Sequence, residues 1–148
     1  MADTDDVGDI LLSAFRAAMP DIRLVHPDAE IRVFLREVCI AQRETWVAEA
    51  DGADGRATVV AFMVLGDASM DQLYVRPSWQ GRGIGSALLA LAKERRPDGF
   101  ELYAFQVNEA ARRFYERRGL ALVDVNDGSR NEEGEPDARY RWSRAESA

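Results

Sequence analysis

The chain has 148 residues, of which 47% are hydrophobic, and a formal net charge of −7. That length fits one domain, 1–148, with enough apolar residues for a core. No run of about 18 apolar residues suggests a membrane span, the acidic stretch Met1–Asp9 does not resemble a secretory signal, and the lone Cys39 excludes a disulfide framework or a cysteine zinc site within one chain.

A cytoplasmic protein with no metal and no membrane partner is the expectation. The acidic balance also argues against nucleic-acid binding, which needs a basic footprint. The charge is uneven. Arg76–Arg118 holds nine Lys/Arg against five Asp/Glu, a net of +4 that leaves −11 for the rest. The central segment therefore suits an anionic ligand and its surroundings a cationic one, although a solvated mixed surface explains the same numbers.

Asp5–Met19 carries Ile10, Leu11, Ala14, Phe15 and Ala18 at helical spacing, and Pro20 ends it. A connection holding His26 follows; a lone loop histidine is more often incidental than functional. Asp28–Ala41 predicts a second helix through Ile31, Phe34, Leu35 and Val38, with Cys39 packed beside that stripe. Thr45–Ala50 and Arg56–Leu65 read as strands joined by the Asp51–Gly55 hairpin. Ser69–Val75 is a third strand. Gly85–Arg96 is a helix, Phe100–Val107 a strand, and Asn108–Arg118 a helix with Gly119 as its left-handed cap. Leu120–Val125 and Ala138–Trp142 close the sheet around a polar, acidic loop, and residues 143–148 read as a frayed tail. This order predicts an α/β (α+β) fold with a mixed sheet and helices on both faces.

The most informative segment is Gln80-Gly81-Arg82-Gly83-Ile84-Gly85-Ser86, between a strand and a helix. Three glycines let the backbone turn tightly and approach a ligand. The helix start supplies unpaired N–H groups and a positive dipole end, which suits phosphate. Arg76 and Arg82 are placed to add charge. A P-loop requires Gly-Lys-Ser/Thr, and there is no lysine here. A dinucleotide fingerprint requires a third glycine or alanine where Ser86 stands, and an acidic residue closing the next strand, which Glu101 instead opens. A pyrophosphate turn of an acyl-CoA transferase, or a turn that only connects two elements, remains.

The Gln80–Gly85 run also fits the Gln/Arg-x-x-Gly-x-Gly/Ala signature of the GNAT superfamily of acyl-CoA N-acyltransferases. Leu73-Tyr74-Val75-Arg76-Pro77 resembles the strand before it. Asn108–Leu120 resembles the second signature, Asn-x-x-Ala-x-x-Phe-Tyr-x-x-x-Gly-Phe, departing only at Leu120. The resemblance covers about Thr45–Val125. Asn131-Glu132-Glu133 and Pro136-Asp137, then Tyr140 and Trp142, look like the end of a small bacterial GNAT subgroup of unassigned substrate. Two departures stand out. Relatives usually begin with a strand, here absent or displaced to Ile22–Val25. Many carry a glutamate near the position of Ser69.

The resemblance implies a GNAT fold: a mostly antiparallel sheet splayed between the strands ending at Val75 and starting at Phe100. It implies acetyl-CoA as co-substrate and direct acetyl transfer to a primary amine. It also makes a homodimer a common arrangement. The acyl arm is expected beside Leu73, Tyr74 and Val75. The pyrophosphate is expected on Gln80, Gly81, Arg82, Gly83, Ile84, Gly85 and Ser86. Asn108 is expected to contact the arm, cap its helix, or both. The resemblance also implies a bulge in that strand, and the spacing of Met70, Leu73 and Val75 fits one, since strict alternation would not put all three on one face.

Tyr115 matches the family's general acid for the leaving thiolate; its plain alternative is packing. Only roughly one in a thousand lysine-like amines is neutral at pH 7, so a base helps. Asp71 is the first candidate and Glu133 the second, although for each a solvated carboxylate is the commoner reading. The acceptor is expected to be a cationic small molecule or peptide amine, from the acidic charge outside the cofactor segment. A non-catalytic acyl-CoA-binding or sensing module is the alternative, kept open by Ser69. Amine-dependent release of CoA separates the two.

Overall fold

The computed structural model describes residues 2–24, 26–52, 54–129 and 131–144, without the side chains of residues 2–4. Helix α1 (Ala2–Ala18) is amphipathic and buries Val7, Ile10, Leu11 and Phe15. Residues 22–24 are not in a strand, and Val25 lies outside the described residues. Helix α2 (Asp28–Phe34) does not run on as an α-helix to Ala41. It widens into a π-helical turn over Leu35–Ile40, which buries both Leu35 and Cys39, and the Thr45 hydroxyl donates to the Cys39 carbonyl at 2.9 Å.

Strands β1 (Glu44–Asp51), β2 (Ala57–Leu65) and β3 (Met70–Val75) form one antiparallel sheet in that order. The β1–β2 hairpin closes through Gly52 N–H donating to Arg56 O at 2.8 Å, with Gly55 at φ 79°. β2 is buried along most of its length because both of its faces are covered, which explains its unbroken apolar run. In β3, Leu65 pairs with Met70 and Val64 with Gln72, so Asp71 is the extra residue of a bulge. Met70, Leu73 and Val75 consequently share one core, while Tyr74 packs on the other side of the sheet with its ring 5.8 Å from Phe62.

Helix α3 (Ile84–Arg95), strand β4 (Phe100–Phe105), helix α4 (Glu109–Arg117), strand β5 (Ala121–Asn126) and strand β6 (Asp137–Trp142) complete the chain. β4 stops two residues earlier than its apolar pattern, because Asn108 N–H turns back to Phe105 O at 3.0 Å and leaves Val107 exposed. Gly119 ends α4 at φ 89°. The second sheet has the order β4-β6-β5, all antiparallel. The two sheets touch along β3 and β4 through one parallel bridge, Ser69 to Glu101, where Glu101 N–H donates to Ala68 O at 3.0 Å. Beyond that point they diverge. The core between α3, α4 and both sheets includes Met63, Leu89, Phe100, Leu102 and Tyr140. No helix among the described residues is long and apolar enough to cross a membrane.

Candidate active site

The divergence of β3 from β4 opens a groove of about 1420 Å³. One flank begins with a short 3-10 turn, Pro77–Trp79, and then Gly81 and Gly83 at φ 77° and 85°. A Cβ at either glycine meets nothing within 4 Å, so the backbone there faces open space, and the positive φ explains the residue type. Gly83 caps α3, and its carbonyl accepts first from Ala87 N–H at 3.0 Å. The N–H groups of Ile84, Gly85 and Ser86 therefore have no partner among the described residues, as a helix start requires. Gly85 serves a different end: a Cβ there would stand 3.2 Å from the Phe114 ring, so glycine lets α3 meet α4 closely.

The groove is lined by Asp71, Leu73, Tyr74, Val75, Gln80, Gly81, Gly83, Ile84, Gly85, Ser86, Asn108 and Tyr115, as the sequence places them. Arg82 and Glu133 are not among its lining residues. The Arg82 guanidinium lies over the Trp79 ring at 4.5 Å. Arg76, expected to add charge to the turn, is turned away from it. Its Nε donates to Val59 O at 2.8 Å and its guanidinium pairs with Asp6 of α1 at 3.4 Å. Asn108 accepts from Ala111 N–H at 3.2 Å and so caps α4 while lining the groove.

Tyr115 is 8% exposed, with its ring 5.3 Å from Phe114 and 6.2 Å from Tyr140. Tyr140 is itself fixed, donating to Glu116 at 2.5 Å and accepting from Arg112 Nε at 2.9 Å. Burial pushes the Tyr115 phenol well above its ordinary pKa of about 10, and the nearby Tyr74 phenol adds to the shift. Tyr74 is pushed up to about 12 by burial, with a further contribution from the Glu133 charge. Tyr115 and Tyr74 are thus both held neutral, and Glu133 is near enough to Tyr74 to be felt.

Asp71 is not a free carboxylate. It is ion-paired with Arg43, and its other oxygen accepts from the Ser69 hydroxyl at 2.7 Å. Ser69 thus orients the neighbouring carboxylate.

The far end of the groove is lined by Ala14, Ala18 and Met19 of α1 and by Asp124, Asn126, Asp127, Asn131 and Asp137 around the β5–β6 loop. Asp137 is buried and accepts from the side-chain amides of Asn126 and Asn131. Sequence reasoning missed this staple because its partners become neighbours only when β5 and β6 pair. It also missed Arg118, a groove-lining residue at a variable position of the second signature.

A family model described as an acetyltransferase (GNAT) domain matches residues 41–119, more than half of the chain. The chain belongs to the GNAT acetyltransferase family. It is 30% identical, over 61% of its own length, to the peptidyl-lysine N-acetyltransferase YiaC of Escherichia coli, and the match spans 58% of that protein. The fold resembles apo YjaB of Escherichia coli, with TM-score 0.73, 20% identity, and 95% and 91% of the two chains covered. It also resembles the PaiA N-acetyltransferase of Thermoplasma acidophilum, solved in complex with coenzyme A, with TM-score 0.61, 15% identity, and 95% and 94% covered.

Proposed function

We propose that this protein is an acetyl-CoA-dependent N-acetyltransferase that moves an acetyl group to a primary amine of a cationic small molecule or peptide. The observation that carries the reading is the glycine turn, whose unpartnered N–H groups at the start of α3 open onto the same groove as Tyr115. The residues fit a pyrophosphate-bearing donor: open space at Gly81 and Gly83 admits the backbone-to-phosphate approach, and the dipole end favours the anion. The thioester supplies an activated acetyl carbon. Membership of the family and the relative that acetylates peptidyl-lysine point the same way.

The chain's own groups have definable tasks in this reading. Tyr115 gives its proton to the departing thiolate. Its raised pKa does not forbid that, since the same burial penalises a thiolate anion as well. An N–H of the β3 strand near Tyr74 or Val75 stabilises the oxyanion, a contribution of about 3 kcal/mol for one such donor. Glu133 ranks above Asp71 as the group that draws the proton from the amine, because both Asp71 oxygens are engaged. The net charge of −11 outside Arg76–Arg118 suits a cationic acceptor.

The test is release of free CoA thiol from acetyl-CoA across a panel of amines, including lysine peptides and polyamines. Amine-dependent release with at least one cationic acceptor supports the reading. Tight acetyl-CoA binding with no release across the panel replaces it with a sensing module.

A further inference from the structure

Arg118 follows α4 and lines the groove, but plays no part in the tasks above. Its guanidinium is held from three sides. Nε donates to Ser86 Oγ at 2.8 Å, one terminal nitrogen donates to Phe114 O at 3.0 Å, and the plane lies over the Phe114 ring at 3.9 Å. Among the described residues no carboxylate pairs with it. Another cation, Lys93, lies close by, its ammonium donating to Arg118 O at 2.6 Å. Burial first, and Arg118 second, lower the Lys93 pKa. In a chain of net charge −7, a half-buried guanidinium left without an anion is an expensive arrangement.

We infer that Arg118 binds the pyrophosphate of the acetyl donor, using Ser86 as its anchor at the start of α3. This rests on the cofactor reading above. Three features support the assignment. Arg118 reaches residue 86, whose N–H is one of the unpartnered donors of the helix start. Its fixed contacts use Nε and one terminal nitrogen, leaving the other terminal nitrogen available as a donor toward an anion. And because Ser86 Oγ accepts from Nε, its own O–H is left to donate elsewhere, giving the phosphate a second neutral donor. Stacking on Phe114 removes much of the rotamer freedom that a lysine would lose on binding.

The contact has a definite position along the ligand. Ser86 sits at the pyrophosphate turn, so Arg118 contributes equally to CoA and to 3′-dephospho-CoA. Calorimetric titration of wild type, Arg118→Gln and Arg118→Lys with both nucleotides tests this. Arg118→Gln is expected to weaken both about tenfold, a typical worth for a charge-assisted hydrogen bond. It is also expected to flatten the dependence of log Kd on log salt. Arg118→Lys is expected to recover part of the loss. Unchanged affinity in Arg118→Gln overturns the assignment. Loss confined to CoA overturns it too, because the 3′-phosphate is then the partner. Equal loss in Arg118→Gln and Arg118→Lys with an unaltered salt slope reduces Arg118 to a packing residue. Failure of the wild type to bind CoA strikes the cofactor reading instead, so the two failures are separable.

Discussion

His26 Nε2 lies 2.6 Å from Glu132 Oε2, and its Nδ1 lies 3.0 Å from Glu30 Oε2. One imidazole thus ties the α1–α2 connection to the β5–β6 loop, whose Asn131 lines the groove. Two carboxylates on both ring nitrogens require both nitrogens to carry protons. The pKa is raised, first by the Glu30 hydrogen bond and then by Glu132. The tie is therefore complete below the unfolded value of 6.5, and is lost as pH rises through the higher folded value. An NMR titration of the ring is expected to give a midpoint above 6.5. Glu132→Gln should bring it down. A wild-type midpoint at or below 6.5 contradicts the tie.

Gly83 separates conformational from steric demands at the turn. Gly83→Ala forces a side chain to φ 85° and should cost about 1–2 kcal/mol in denaturant unfolding. Gly83→Glu adds bulk and negative charge where the phosphates are expected, and should abolish measurable CoA binding. CoA affinity equal to wild type in that variant would remove the turn from the cofactor site.

Tyr115→Phe keeps the ring packing against Phe114 and Tyr140 and removes only the hydroxyl. If that hydroxyl is the acid, kcat falls about 100-fold, within the range for a positioned proton donor. KM for acetyl-CoA should move less than twofold. Burial keeps the phenol protonated beyond pH 10, so no high-pH loss of kcat assignable to Tyr115 is expected below that point. Turnover at the wild-type level across pH in Tyr115→Phe refutes the assignment.

The two candidate bases respond differently. Glu133→Gln should lower kcat/KM about 10- to 100-fold at pH 7, with the gap narrowing as pH rises and the amine loses its own proton. Asp71→Asn breaks the Arg43 ion pair and should act mainly on stability, by up to about 1 kcal/mol for a partly exposed pair. A larger catalytic loss in Asp71→Asn than in Glu133→Gln reverses their order.

What could be read from the sequence was local chemistry. The glycine turn, the α4 cap at Asn108 and the β3 bulge each follow from neighbouring residues, and Met70, Leu73 and Val75 lie in one core as their spacing demands. Side-chain direction was another matter. Arg76 turns to Asp6, 70 residues away, only because α1 docks against the first sheet. Asp71 is engaged by Arg43, which leads into the opposite edge strand of that sheet, and Arg118 meets Ser86 across two helices. The π-helical turn at Leu35–Ile40 arises from packing, which helical periodicity does not encode. Such pairings depend on which elements become neighbours, and a single sequence does not announce them.

Among the described residues, one bridge between Ser69 and Glu101 leaves the facing edges of β3 and β4 without a strand partner along most of their length. Bare edges elsewhere on a protein invite other chains to add strands and aggregate. Here they flank a groove that residues of α1, α3 and α4 also line. A groove of about 1420 Å³ flanked by helices gives those edges a smaller opening than a free sheet edge offers. The fold in this way places its least satisfied backbone inside the groove rather than along an open sheet edge.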